Sequence, residues 1–284
     1  MTDNEVNFSV LMSIYVKENP SWFEEAIRSI LNQTVMPNEI VIVQDGKLTE
    51  ELDKICDYYV KNYNDIFRVI KLPNNQGLGK ALQIGVSECR NEWIARMDTD
   101  DISLPNRFEL QVNFIKKHSD IDIVGGYIDE FCGEIKNKIG YRLLPLENLE
   151  LRKFAKSRNP FNHMTVMFRR SAVIAAGNYK PFHLMEDYYL WYRMIINNCK
   201  IANIPHYLVH ARVDNMVDKR GGWKYFYSEY KLYKEFFNSG YIMYIEYIWI
   251  LLVRFICRMS PSFLRKKIYY TAVHKKNSEE YDYV

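Results

Sequence analysis

The sequence has no apolar run long enough to cross a bilayer. Its longest, Tyr241 to Ile256, is broken by Glu246 and Arg254 and leaves only Tyr247 to Val253 uncharged, whereas a spanning helix needs about 20 residues. There is no C-x-x-C pair. Cys56, Cys89, Cys132, Cys199 and Cys257 are odd in number and widely spaced, which argues against a zinc site and for a reducing compartment. The polar stretch from Met1 to Phe8 carries Asp3 and Glu5, so no signal peptide is expected. Glycine (12) and proline (9) are ordinary for 284 residues and no fixed-period repeat is visible, which excludes a fibrous or low-complexity chain. The G-x-x-x-x-G-K-[ST] pattern of a P-loop is also missing.

What is present is material for a core, with 48% hydrophobic and 15% aromatic residues. The formal charge of +3 is unevenly spread. Residues 1–210 hold 25 Lys/Arg and 27 Asp/Glu, a net −2, whereas residues 211–276 hold 13 and 5, a net +8. A near-neutral domain followed by a segment suited to an anionic partner is the expectation.

The first hundred residues alternate strand and helix signals. Apolar or β-branched runs at Phe8–Ile14, Glu39–Val43, Phe67–Leu72 and Trp93–Met97 are separated by helical spacings. One helix follows a capping-box pattern at Ser21 and Glu24, one runs through Leu52, Ile55 and Tyr58, and one spans Leu78 to Cys89. This alternation predicts an α/β fold with a mostly parallel sheet flanked by helices. Further on, helices are expected at Leu104–His118, Ser171–Ala176 and Glu186–Asn197, and strands at Ile121–Phe131, His163–Phe168 and Pro205–Val213. Residues 134–158 are weakly patterned. Ligands bind parallel sheets outside the carboxyl ends of the strands, which singles out Ser13, Tyr15, Asp45, Asn75 and the acids from Asp98 onward.

Asp98-Thr-Asp100-Asp101 ends the fourth strand. Three carboxylates in four residues repel one another, and a hard divalent cation offsets that cost well. A solvated acidic turn capping the next helix would show the same residues. The companions distinguish the two: Asp45 after the second strand, Asn75-x-Gly77 with Lys80 entering a helix, and Glu186-Asp187 at a later helix start.

That order closely resembles a family 2 glycosyltransferase of the GT-A fold, over about Phe8 to Gly222. Arg158–Phe168 together with Glu186–Trp191 looks like the bacterial enzymes that build O-antigen and capsule repeat units. The resemblance implies a nucleotide-sugar-binding, Rossmann-like catalytic domain at 1–222 that transfers a hexose or N-acetylhexosamine with inversion from a UDP-sugar to a polyprenyl-diphosphate-linked saccharide. It implies Mn²⁺ or Mg²⁺ at Asp100 with Asp98, and a cytoplasmic protein peripheral at the inner face of the cell membrane. Donor contacts would come from Ser13, Tyr15, Glu18, Asp45 on the uracil, Asn75, Gly77, Lys80 and Asp98. Asp187 would be the base, with Glu186, His163 and Trp191 at the acceptor. A basic lid from His210 to Gly222, including Lys219, would bring Arg212 and Arg220 onto the diphosphate. A sugar-nucleotide pyrophosphorylase would also use paired acids in an α/β domain, but Met12–Lys17 lacks its glycine- and arginine-rich signature. A non-catalytic nucleotide or carbohydrate-binding module would need no base.

Residues 223–284 read as a helical, basic extension in which aromatics and lysines interleave. Ile245, Ile248, Trp249, Leu252, Phe255 and Ile256 share one helical stripe, and Glu246, Arg254 and Arg258 another. An amphipathic helix on an anionic membrane and a hairpin packed on the catalytic domain both fit this pattern. Nucleic acid is not expected, because no recognised binding fold accompanies the basic residues.

Overall fold

The computed structural model describes residues 6–214 and 220–272. Its centre is built from four short parallel strands, β1 (Phe8–Ile14), β2 (Glu39–Gln44), β3 (Phe67–Lys71) and β4 (Trp93–Arg96). β1 is flanked by β2 and β4, and β3 lies outside β2. Every residue of β2 and β4 is buried, which is why these strands read as continuous apolar runs and not as alternating ones. Beyond β4 the sheet continues through β8 (Met167–Arg169), β6 (Ile123–Phe131), β9 (Ile201–Arg212) and the two-residue β5 (Ile102–Ser103), with β7 (Lys138–Arg142) paired to β6. β8 runs antiparallel to β4 and β6, while β6 and β9 are parallel. The expected α/β class with a mostly parallel sheet is thus present.

Helices cover both faces. α1 (Pro20–Leu31), α2 (Glu50–Asn62) and α4 (Arg107–Lys117) enclose one apolar cluster with Phe8, Val10 and Met12. α3 (Leu78–Glu88), α5 (Asn148–Phe154), α6 (Arg170–Ala175) and α7 (Glu186–Ile196) enclose another with Leu11, Val41 and Ile94. Alternate residues of β1 supply opposite cores, as a pleated strand requires. α1 is not capped by the expected Ser21–Glu24 box. Asn19 caps it, its Oδ1 accepting from the Ser21 and Trp22 N–H groups, with Pro20 at the first helical position.

Three helices end the described residues: α8 (Trp223–Asn238), α9 (Tyr244–Met259) and α10 (Ser262–Ala272). α8 packs Leu232, Tyr233 and Phe236 against Met185, Tyr188 and Tyr192 around α7. The extension is therefore bound to the element that begins with Glu186 and Asp187. Among the described residues no helix is long and apolar enough to cross a membrane.

Candidate active site

The parallel strands deliver their following loops to one edge of the sheet. Tyr15 follows β1, Asp45 follows β2, Asn75 and Gly77 follow β3, and Asp98 to Asp101 follow β4. Asp45 ties two of these loops together. Its Oδ1 accepts from Gln76 N–H at 2.7 Å and its Oδ2 from Gly77 N–H at 2.8 Å, while Asn75 Nδ2 donates to the Asp45 carbonyl at 3.3 Å. Gly46 is required here: its φ is +86° and a Cβ would lie 2.6 Å from Asn75 N. Gly79, in the first turn of α3, lets that helix approach α7, because a Cβ would lie 2.8 Å from Glu186 Cγ and 2.9 Å from the Lys180 carbonyl. Lys80 is turned along α3, its Nζ 2.8 Å from Gln83 Oε1. Ser13 is half-buried near the end of β1.

Two buried guanidiniums support the acidic loop from behind. Arg96 ion-pairs with Asp98 Oδ1 at 2.5 Å. Arg107 donates to the Arg96 carbonyl at 2.7 Å, and burial together with Arg96 pushes its pKa down to about 9. Asp100 is pushed up to about 6 by burial and by Asp98, and Asp101 is raised well above its ordinary value by burial and its neighbours. Glu18 joins them from the β1 loop, pushed up to about 7 by burial and by Asp100, with a bond to Thr99 working the other way. Tyr15 is half-exposed beside Glu18 and Asp100. Crowded carboxylates held above their usual range are what a divalent cation would relieve. Among the described residues no three acidic, histidine or cysteine side chains gather to hold a metal unaided. Asp100 is the carboxylate left to meet such an ion, because Asp98 is already paired to Arg96.

A cleft of about 260 Å³ opens in front of this loop, lined by Asp98, Asp100, Glu130, Arg142, Asp214 and Arg220 among others. Asp187 stands at the start of α7, where Asn159 Nδ2 donates to its Oδ2 at 2.6 Å. Burial raises its pKa, opposed by the Tyr188 N–H, Asn159, Arg220 and Arg142. A carboxylate raised by burial yet kept near cations suits a general base. A larger hollow of about 340 Å³ between α1 and α2 is lined by Glu24, Lys54 and Tyr58, and lacks this convergence of acids and guanidiniums.

Three expected contacts are corrected by the structure. Arg212 is not free for a diphosphate. Its guanidinium lies 4.6 Å from the Trp22 and Phe131 rings and donates to Glu25, the Asp100 carbonyl and the Gly133 carbonyl, and its side chain is 5% exposed. Its N–H also donates to Asp101 at 2.8 Å, so Arg212 fixes the acidic loop to β9. His163 does not lie on a strand with Thr165. The two bracket a 3₁₀ turn that sends the imidazole inward, 3.0 Å from Tyr179 Oη, and burial holds its pKa well below the ordinary value. Trp191 is 1% exposed, packed among Phe161, Phe168 and Tyr179, and so unavailable to an acceptor. Of the expected lid, Asn215 to Lys219 lies outside the described residues. Sequence reasoning missed Arg142 and Asn159, single residues in stretches without periodicity, and Arg96, whose apolar neighbours marked it only as part of a strand.

Glu186 carries its own prediction. Burial, with a smaller contribution from Asp187, pushes its carboxyl up to about 7. A raised carboxyl stabilises the fold fully below the unfolded-state pKa, and that contribution is lost as pH rises through the folded value. Glu186→Gln is expected to match wild type in thermal melts at pH 4 and to exceed it at pH 8, by about 3 kcal/mol.

A mostly parallel sheet with an Asp-x-Asp-Asp loop at its carboxyl edge, in a chain that also sets a buried carboxylate at a later helix start, is the arrangement of a glycosyltransferase of the GT-A fold. The chain belongs to the family described as Glycosyl transferase family 2, whose profile it matches over residues 9–177. An uncharacterized glycosyltransferase of Haemophilus influenzae is 41% identical over 95% of this chain and 100% of its own. A UDP-Gal:alpha-D-GlcNAc-diphosphoundecaprenol beta-1,3-galactosyltransferase of Escherichia coli is 36% identical over 97% and 99%. The amylovoran biosynthesis glycosyltransferase AmsE of Erwinia amylovora is 41% identical over 80% and 84%. In fold, the chain is similar to S. aureus TarS 1-349 in complex with UDP-GlcNAc, with a TM-score of 0.64 at 18% identity, covering 94% of this chain and 76% of that one.

Proposed function

We propose that this enzyme transfers a hexose or N-acetylhexosamine with inversion from a UDP-sugar to a saccharide on a polyprenyl diphosphate, in the synthesis of a bacterial surface polysaccharide. The observation that carries the reading is the cleft lined by the Asp98–Asp101 loop, Arg142 and Arg220, two arginines that also act electrostatically on Asp187. The likeness to the E. coli galactosyltransferase over nearly both whole chains supports this substrate class.

In this mechanism an acceptor hydroxyl oxygen attacks the anomeric carbon of the donor as the bond from that carbon to the diphosphate oxygen breaks. Asp187 takes the hydroxyl proton and UDP departs with the bonding pair. Asn159 keeps the carboxylate oriented, and Glu186 binds an acceptor hydroxyl beside it. Tyr15, Glu18, Asp45 and Asn75 form the nucleotide end. Asp45 there holds the loop through both oxygens, each of which keeps a lone pair for a base N–H. Mn²⁺ or Mg²⁺, held through Asp100 with Asp98 beside it, would neutralise charge on the leaving diphosphate. Arg220 and Arg142, in place of Arg212, are the cations that face it. Incubation with a panel of UDP-sugars and GlcNAc- or GalNAc-diphosphate lipids is expected to give one extended lipid product with release of UDP. UDP-galactose with the GlcNAc lipid is the first pair to test, and no product from any pair contradicts the reading.

A further inference from the structure

α9 is amphipathic in the inverse sense of a helix docked on a core. Its charged stripe faces the protein. Glu246 ion-pairs with Lys156 at 3.2 Å, Arg258 with Glu229 at 2.7 Å, and Arg254 lies 3.6 Å from Glu229 and donates to the Ser157 carbonyl. Its apolar stripe faces outward: within α9, every exposed residue is apolar. Ile245 is 80% exposed and Trp249 65%, and α10 extends the face with Phe263 at 75%. A monomer does not ordinarily leave so continuous an apolar face in water.

We propose that α9 and the start of α10 form a docking face for an anionic lipid bilayer, with α9 lying in the plane of the interface and its apolar side chains entering by roughly 5–10 Å. Three features select a bilayer as occupant. Tyr244 and Trp249 are amphipathic rings suited to the headgroup boundary. Exposed Lys266 and Lys267 follow the face, in a stretch that holds 13 Lys/Arg against 5 Asp/Glu over residues 211–276. A second copy packed symmetrically on this face would oppose lysines of like sign.

The face is wired to the cleft. Arg258 donates to the Arg220 carbonyl at 3.1 Å and accepts from Gly222 N–H at 2.9 Å. Tyr269 of α10 donates to Glu130 at 2.6 Å, and Glu130 lines the cleft beside Arg220. The helices that rest on lipid thus also hold an arginine of the site, bringing the cleft to the surface where a lipid-linked acceptor resides.

The inference goes beyond the transfer reading, whose failure would show in products and not in membrane binding. It is tested by flotation of the full-length chain on phosphatidylcholine vesicles with and without phosphatidylglycerol. Wild type is expected to float with the anionic vesicles and less with phosphatidylcholine alone. The triple variant Ile245→Ser, Trp249→Ser, Phe263→Ser is expected to lose about tenfold or more of that binding while its UDP titration and melting profile stay unchanged. Wild type left unbound, or the triple variant floating as wild type does, overturns the proposal. Equal flotation on both vesicle types overturns its anionic part. A wild-type dimer that the triple variant dissolves assigns the face to a second copy instead.

Discussion

Asp187→Asn is expected to lower transfer by about 10³-fold, within the range a positioned general base contributes, while leaving UDP binding at the wild-type level. The amide keeps the volume of the carboxylate and can still meet Asn159, which now donates to Asp187 Oδ2 at 2.6 Å. What it loses is the ability to take the acceptor proton. Initial rates for transfer, paired with calorimetric titration of UDP, separate the two effects. Wild-type transfer by the variant would remove Asp187 from the mechanism. A parallel loss of UDP binding would place the residue at the nucleotide.

Asp100→Ala acts at the other end of the cleft, and the opposite pattern is expected. Metal-dependent UDP binding should disappear, and transfer should fall by about 10²-fold or more, because neutralisation of the departing diphosphate is lost. Chelation of divalent ions from wild type should produce the same loss and leave nothing further to lose in the variant. Asp100 is the informative position because its carboxyl is pushed up to about 6 and, among the described residues, no ion pair holds it, whereas Asp98 is bonded to Arg96. UDP titrations with and without Mn²⁺ decide the matter. Equal binding by Asp100→Ala and wild type in Mn²⁺ would show that no ion is held there.

The sheet was legible because β2 and β4 are buried throughout and β1 nearly so, and a doubly buried strand must be an apolar run. The sites at their ends followed from that geometry alone. β5 escaped because it consists of two residues, Ile102 and Ser103, defined only by pairing with β9. Arg212 was misread for a related reason. A basic residue in a basic loop looks available for phosphate, and nothing local reveals that Glu25, 187 positions away, will claim it. The three residues from His163 to Thr165 are too few to tell strand alternation from a 3₁₀ turn, and the turn is what the structure adopts. The extension shows the same limit in another form. Its two stripes are plain in the sequence, but which one faces the protein depends on partners such as Lys156 and Glu229, and these turn the charged stripe inward.

The most direct test of the account is the configuration of the new linkage. A single displacement, in which Asp187 removes the proton from an acceptor hydroxyl attacking opposite the departing UDP, must invert the anomeric carbon. Proton NMR of the saccharide released from the lipid product is predicted to show a β linkage formed from an α-configured UDP-sugar. An α linkage from the same donor would contradict the mechanism at its centre.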